Sequence, residues 1–149
     1  SPFFEKSFNH GVYVLLKTSN KSGGEIQDIP CRYEGNELPL FKVVLDKLLK
    51  WYKPGMGLVI GANRLEELSF VLDYIKAPSF KIPLLIPGIG AQGGDLKNLI
   101  KILKASGNLE LHRITSSSAI NYAYEKSGIA DYAGCAAEAL LKLINDMNL

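Results

Sequence analysis

From Pro87 to Asp95 the chain reads Pro87-Gly88-Ile89-Gly90-Ala91-Gln92-Gly93-Gly94-Asp95. Four of the seven residues from Gly88 to Gly94 are glycine. Glycine adopts positive φ without strain and lets backbone approach a ligand closely. The apolar run Ile82-Pro83-Leu84-Leu85-Ile86 stands before this loop, and Leu96, Leu99, Ile100 and Leu103 follow it at helical spacing. A strand, a glycine loop and a helix in that order predict an anion site, with the loop amides beside the helix N-terminus. The same letters fit G-x-G-x-x-G at Gly88, Gly90 and Gly93, the dinucleotide fingerprint. That alternative, an NAD-binding domain, needs an acidic residue at the end of the next strand. Glu110 has the separation but sits at the start of its strand rather than at its end, so the placement counts against it.

Working outward, the same alternation of period occurs four times. Gly11-Val12-Tyr13-Val14-Leu15-Leu16-Lys17 is a buried parallel strand ending in Thr18-Ser19-Asn20. Residues 21–36 read as a long polar loop, after which Phe41, Val44, Leu45, Leu48 and Tyr52 mark a helix. Gly57-Leu58-Val59-Ile60-Gly61 is the second strand, and Asn63 is the expected N-cap of a helix with Leu65, Leu68, Leu72 and Ile75 inward. The glycine loop belongs to the third unit. In the fourth, a strand from Leu109 to Thr115 leads to a serine cluster, and a last helix is expected to turn Ala137, Leu140, Leu141 and Ile144 inward. Four βα units are half of a (β/α)8 barrel. They also suit a free, doubly wound parallel sheet with helices on both faces. Periodicity alone leaves that choice open.

Composition narrows the function classes. The 149 residues carry 17 basic and 15 acidic side chains, a net charge of +2, and no dense basic run, which argues against a nucleic-acid partner. No apolar run is long enough to span a membrane. Two cysteines, Cys31 and Cys135, are too few for a disulfide framework and read as free thiols in a cytoplasmic protein. The chain starts at Ser1 without an initiating Met, so a longer parent polypeptide is expected.

Together, Pro87–Asp95, Lys17-Thr18-Ser19-Asn20, Val59-Ile60-Gly61-Ala62-Asn63 and the segment Ile114–Ala123 resemble the C-terminal half of orotidine 5'-phosphate decarboxylases, in particular the longer, second group. The resemblance covers nearly the whole chain in the right order. It implies a (β/α)8 barrel whose C-terminal four βα units are residues 1–149. The implied reaction converts orotidine 5'-phosphate to UMP and CO2 without metal or organic cofactor. Ser19 would then hydrogen-bond the pyrimidine. Gln92 would close over the ligand and touch phosphate, the Gly90 and Gly93 amides would lie nearby, and Thr115 to Ser118, with Ser117 and Ser118 foremost, would complete the phosphate site. The implied partners are a nucleotide monophosphate, the N-terminal half of the barrel and a second copy in a homodimer.

Two departures from the family accompany this match. An arginine on the phosphate is replaced by Ser118, and a hydroxyl cannot reproduce a bidentate guanidinium contact. Arg113 lies five residues upstream, about 16 Å along an extended strand and on its opposite side, so it is not a substitute. The family's D-x-K-x-x-D array, which surrounds the reacting carbon, does not occur in this chain. The chain alone is therefore expected to be inactive, and a non-catalytic phosphate-binding module of the same fold is the competing reading.

Other polar residues have plainer readings. Lys17 shares strand parity with Ser19, so it is expected inside the barrel, ion-paired with a carboxylate of the missing half. His10 and His112 lack ligands at metal spacing. Cys31 has no activating histidine nearby. Trp51 and Tyr52 are expected in the core, Arg32 and Lys21 in solvent.

Overall fold

A computed structural model describes residues 10–76, 80–90, 94–128 and 130–147. Its main sheet has four parallel strands, β1 (Val12–Lys17), β4 (Met56–Ile60), β5 (Leu84–Pro87) and β6 (Arg113–Thr115), side by side in sequence order. A doubly wound sheet reverses its strand order part-way. This one does not, so successive crossovers lay their helices on a single face, as around a barrel.

The register shows which face is covered. Val14, Leu58 and Leu84 stand in one row across the sheet and Ile86 pairs with Ile114. Leu58, Leu84 and Ile86 are buried, in one cluster with Phe41, Leu45 and Leu48 of α2 (Leu40–Lys50), Leu68, Val71 and Leu72 of α3 (Leu65–Tyr74), and Leu99 and Leu103 of α4 (Leu96–Ser106). Leu15, Val59, Leu85 and Arg113 form the adjacent row on the other face. There Tyr13 is 42% and Leu15 55% exposed. The inner face of the sheet is thus largely apolar and open along β1, with Arg113 at its far edge, and β1 and β6 are the sheet's two edges.

Three expectations are corrected. The segment 21–36 is not a plain loop. It contains a 3-10 turn (Lys21–Gly23), the short α1 (Gly24–Gln27), and most of an antiparallel hairpin of β2 (Pro30–Tyr33) and β3 (Asn36–Pro39). Glu34 and Gly35 turn that hairpin with φ of 49° and 82°, the backbone a two-residue hairpin turn requires. Trp51 is 57% exposed at the C-terminus of α2, while Tyr52 packs on the core with its ring edge-on to Phe80.

The third correction concerns the C-terminal helices, α5 (Ser118–Asn121), α6 (Ala123–Ser127) and α7 (Tyr132–Met147). Leu140, Leu141 and Ile144, expected inward, are exposed, and Ala137 is exposed with them. Leu143 packs against the core instead. The helix has apolar residues on two faces, and the predicted stripe is the one left exposed among the described residues. Among the described residues no helix is long and apolar enough to cross a membrane.

Candidate functional site at the strand C-termini

Parallel strands put all their C-terminal ends on one rim, and the loops leaving β1, β4, β5 and β6 meet there. The β1 exit, Thr18–Asn20, lies against the β4 exit: a Cβ added to Gly61 would fall 2.6 Å from both the Cα and the amide nitrogen of Ser19. Glycine at 61 is therefore what allows Ser19 its position. Ala62 N–H donates to Pro87 O at 2.7 Å, joining the β4 and β5 exits. A Cβ on Gly94 would meet the Ala62 methyl at 2.8 Å, so the far end of the glycine loop folds back on the same residue. Ser116 Oγ donates to Ile89 O at 3.1 Å, tying the loop to the β6 exit.

Gly90 has φ +86°, and a Cβ there would stand 2.8 Å from the Ala119 methyl. The loop backbone thus runs directly over the first turn of α5. Ser117 and Ser118 are exposed at that turn, and among the described residues neither hydroxyl has a hydrogen-bond partner. Of the expected site residues, Ser19, Gly90, Ser117 and Ser118 lie along this rim. Gln92 and Gly93 lie outside the described residues.

The helix N-terminus behind the loop already carries a side-chain cap. Asp95 caps α4, accepting from Asn98 N–H at 3.1 Å and from the Asn98 side-chain amide at 2.7 Å. Its carboxylate already answers the helix dipole.

Lys17 departs from its expected place. Leu15 pairs with Val59 but Lys17 pairs with Ile60, so a bulge at Leu16 inserts one residue and reverses the parity beyond it. Lys17 is fully buried on the helix side. It is ion-paired with Asp28, lies 3.7 Å from Glu67 and stands 5.2 Å from the Phe41 ring centre. Both carboxylates belong to this chain, not to a missing half. Asn63 is likewise not the N-cap of α3: Arg64 holds that position, and the Asn63 amide donates to Ser19 O at 2.8 Å. Asn63 and Arg64 are the site-supporting residues that pattern reading missed.

Away from the rim, His112 is buried and accepts from Leu84 N–H through Nδ1 at 3.1 Å. Its Nε2 has no partner among the described residues. Burial pushes its pKa down, with Glu110 opposing and Arg113 adding to the shift. Arg113 itself donates to the carbonyls of Glu110 and His112 at the opposite end of β6 from the serine cluster. On the outer surface Lys50 contacts Glu34, Asp46 and the Tyr33 hydroxyl; hydrogen bonds from Lys50 and then Tyr33 hold the Glu34 carboxyl below its usual range, and those from Tyr33 and then Lys50 do the same for Asp46. Among the described residues no group of His, Cys, Asp and Glu is arranged to hold a metal ion.

The chain is similar in sequence to proteins of known function. Orotidine 5'-phosphate decarboxylase of Dehalococcoides mccartyi is 40% identical over 147 residues, which are 97% of this chain and 52% of that protein. The chain matches half of an orotidine 5'-phosphate decarboxylase. The enzyme of that name from Ralstonia nicotianae is 37% identical over 137 residues, 91% of this chain and 47% of its own length. Thus the chain spans about half the length of the curated relatives it matches. Among solved structures, Leishmania donovani UMP synthase superposes with a TM-score of 0.68 at 25% identity, covering 98% of this chain and 30% of the synthase. Leishmania donovani OMP decarboxylase gives 0.63 at 25% identity, covering 99% and 52% respectively. No protein-family model matches the chain. The orotidine 5'-phosphate decarboxylase neighbours are (β/α)8 barrels, and the sequential, singly wound sheet is four units of one.

Proposed function

We propose that residues 1–149 are the C-terminal half of a cytoplasmic, homodimeric barrel that converts orotidine 5'-phosphate to UMP and CO2. One observation carries the reading. A single rim brings together Ser19, Gly90 and the exposed hydroxyls of Ser117 and Ser118, in a chain that matches half of orotidine 5'-phosphate decarboxylases. In this reading Ser19 hydrogen-bonds the pyrimidine. The glycine-loop amides, with Gln92 and Gly93, and the hydroxyls of Ser117 and Ser118 hold the phosphate. Decarboxylation itself is assigned to the Asp/Lys array of the N-terminal half. Preorganised charge of that kind stabilises the charge developing in a transition state.

The NAD-binding alternative loses its support. Glu110 lies in the 3-10 turn Leu109–Leu111 before β6, and the sheet has no point of strand-order reversal for a dinucleotide. The binding-module reading shares the site and differs only in the chemistry.

Calorimetric titration of UMP into the complete barrel tests the placement. Gly90→Val is expected to abolish binding, because it faces both positive φ and the Ala119 methyl. Ser118→Arg is expected to tighten binding about tenfold, by replacing a neutral contact with a charge-assisted one. Unchanged affinity in both variants would place the phosphate elsewhere.

A further inference from the structure

The backbone that carries Ser19 is held in an unusual way. Four consecutive carbonyls, from Lys17 to Asn20, each accept a hydrogen bond from the β4 exit. Gly61 N–H donates to Lys17 O at 2.9 Å. Arg64 Nε donates to Thr18 O at 3.0 Å and its Nη2 to Asn20 O at 3.0 Å. Asn63 Nδ2 donates to Ser19 O, between them, at 2.8 Å. On the other side, the Gln27 amide oxygen accepts from both Thr18 N–H and Thr18 Oγ at 3.0 and 3.2 Å. A guanidinium is a rigid planar fork, so it can span alternate carbonyls that an ammonium would reach only one at a time.

We infer that Arg64, with Asn63, is a positioning residue for pyrimidine recognition: it sets the Ser19 hydroxyl by holding the carbonyls on either side of it. The inference rests on the reading of Ser19 as the pyrimidine contact. Arg64 need not touch the ligand. Its own backbone is anchored, with its N–H on Gly61 O at 3.0 Å and its carbonyl accepting from Leu68 N–H at 2.8 Å. The fork is thus referred to α3 and to the sheet. A contact to a base is sensitive to sub-ångström placement, since hydrogen-bond strength falls steeply with distance and angle. Remove the fork, and Thr18 and Asn20 exchange a fixed partner for water, leaving Ser19 on a loosened loop.

A clamp that acts through Ser19 makes a specific prediction. It should matter for ligands with a base and not for ligands without one. In the complete barrel, UMP and ribose 5-phosphate are titrated by calorimetry into wild type, Arg64→Met, Arg64→Lys, Ser19→Ala and Arg64→Met/Ser19→Ala. Arg64→Met is expected to weaken UMP about tenfold, the scale of one charge-assisted hydrogen bond, and to leave ribose 5-phosphate unchanged. Arg64→Lys should fall between, and it carries the comparison if Arg64→Met does not fold. With Ser19→Ala already present, Arg64→Met should have little further effect, the non-additivity expected of residues acting as one unit. Equal weakening of both ligands, additive losses, or wild-type UMP affinity in both Arg64 variants would overturn the clamp. A wild-type barrel that binds ribose 5-phosphate as well as UMP would overturn the reading of Ser19 beneath it.

Discussion

Gly61→Ala is the smallest change that should disturb the rim. The added methyl would lie 2.6 Å from both Ser19 N and Ser19 Cα, and both are backbone atoms that cannot rotate away. Ordinary carbon contacts begin near 3.5 Å, so the β1 exit must retreat by about 0.9 Å. That retreat is opposed by the hydrogen bonds to the Lys17, Thr18, Ser19 and Asn20 carbonyls. Overpacking of this kind costs roughly 1–3 kcal/mol, and weakening these bonds adds about 1 kcal/mol. A total of about 3 kcal/mol lowers Tm by roughly 6–12 °C in a domain of barrel size. Differential scanning calorimetry reads the Tm, and UMP titration should show a parallel loss of affinity because Ser19 moves. Gly107→Ala is the control. That residue has φ +79° but nothing within 4 Å, so backbone strain of about 1–2 kcal/mol should lower Tm and leave UMP binding intact. The reasoning fails if Gly61→Ala melts with wild type, or if Gly107→Ala impairs UMP binding as much as Gly61→Ala does.

His112 should make the fold acid-sensitive. Its folded pKa is depressed, so the unfolded chain binds the proton more readily: the contribution is complete above about pH 6.5 and is lost as pH falls from there through the depressed folded value. His112→Leu should flatten stability between pH 7 and 5.5 in urea titrations, and at pH 7 should lose about 1–2 kcal/mol, because Leu84 N–H loses its acceptor. The 149-residue chain alone should elute from a sizing column as an associated species, since the inner face and the outward α7 stripe are uncovered. Leu15→Glu with Leu141→Glu should shift it toward monomer, and a compact wild-type monomer at micromolar concentration would argue against an open half-barrel.

Much of this architecture was readable in advance, and the failures have identifiable physics. The four βα units follow from the change of hydrophobic period, and the α4 stripe of Leu99, Ile100 and Leu103 is buried as its spacing requires. Lys17 was misplaced because a bulge changes strand parity without leaving any compositional mark. The β2–β3 hairpin was missed because its turn is Glu34-Gly35, and the strand letters around it are half polar. For α7, both faces carry apolar residues, and periodicity alone does not say which of them packs on the core. The glycine loop and Ser19 were legible as motifs. The clamp on Ser19 was not, because it joins residues 44 or more apart and Asn63 alone mimics an N-cap.

Complementation tests the central claim most directly. Loss of orotidine 5'-phosphate absorbance is followed for this chain alone, for the N-terminal half of the barrel alone, and for the two combined. Decarboxylation should appear only in the mixture, and Gly90→Val in this chain should remove it. Turnover by the 149-residue chain alone, or a correctly assembled mixture that binds UMP yet never decarboxylates, would contradict the account.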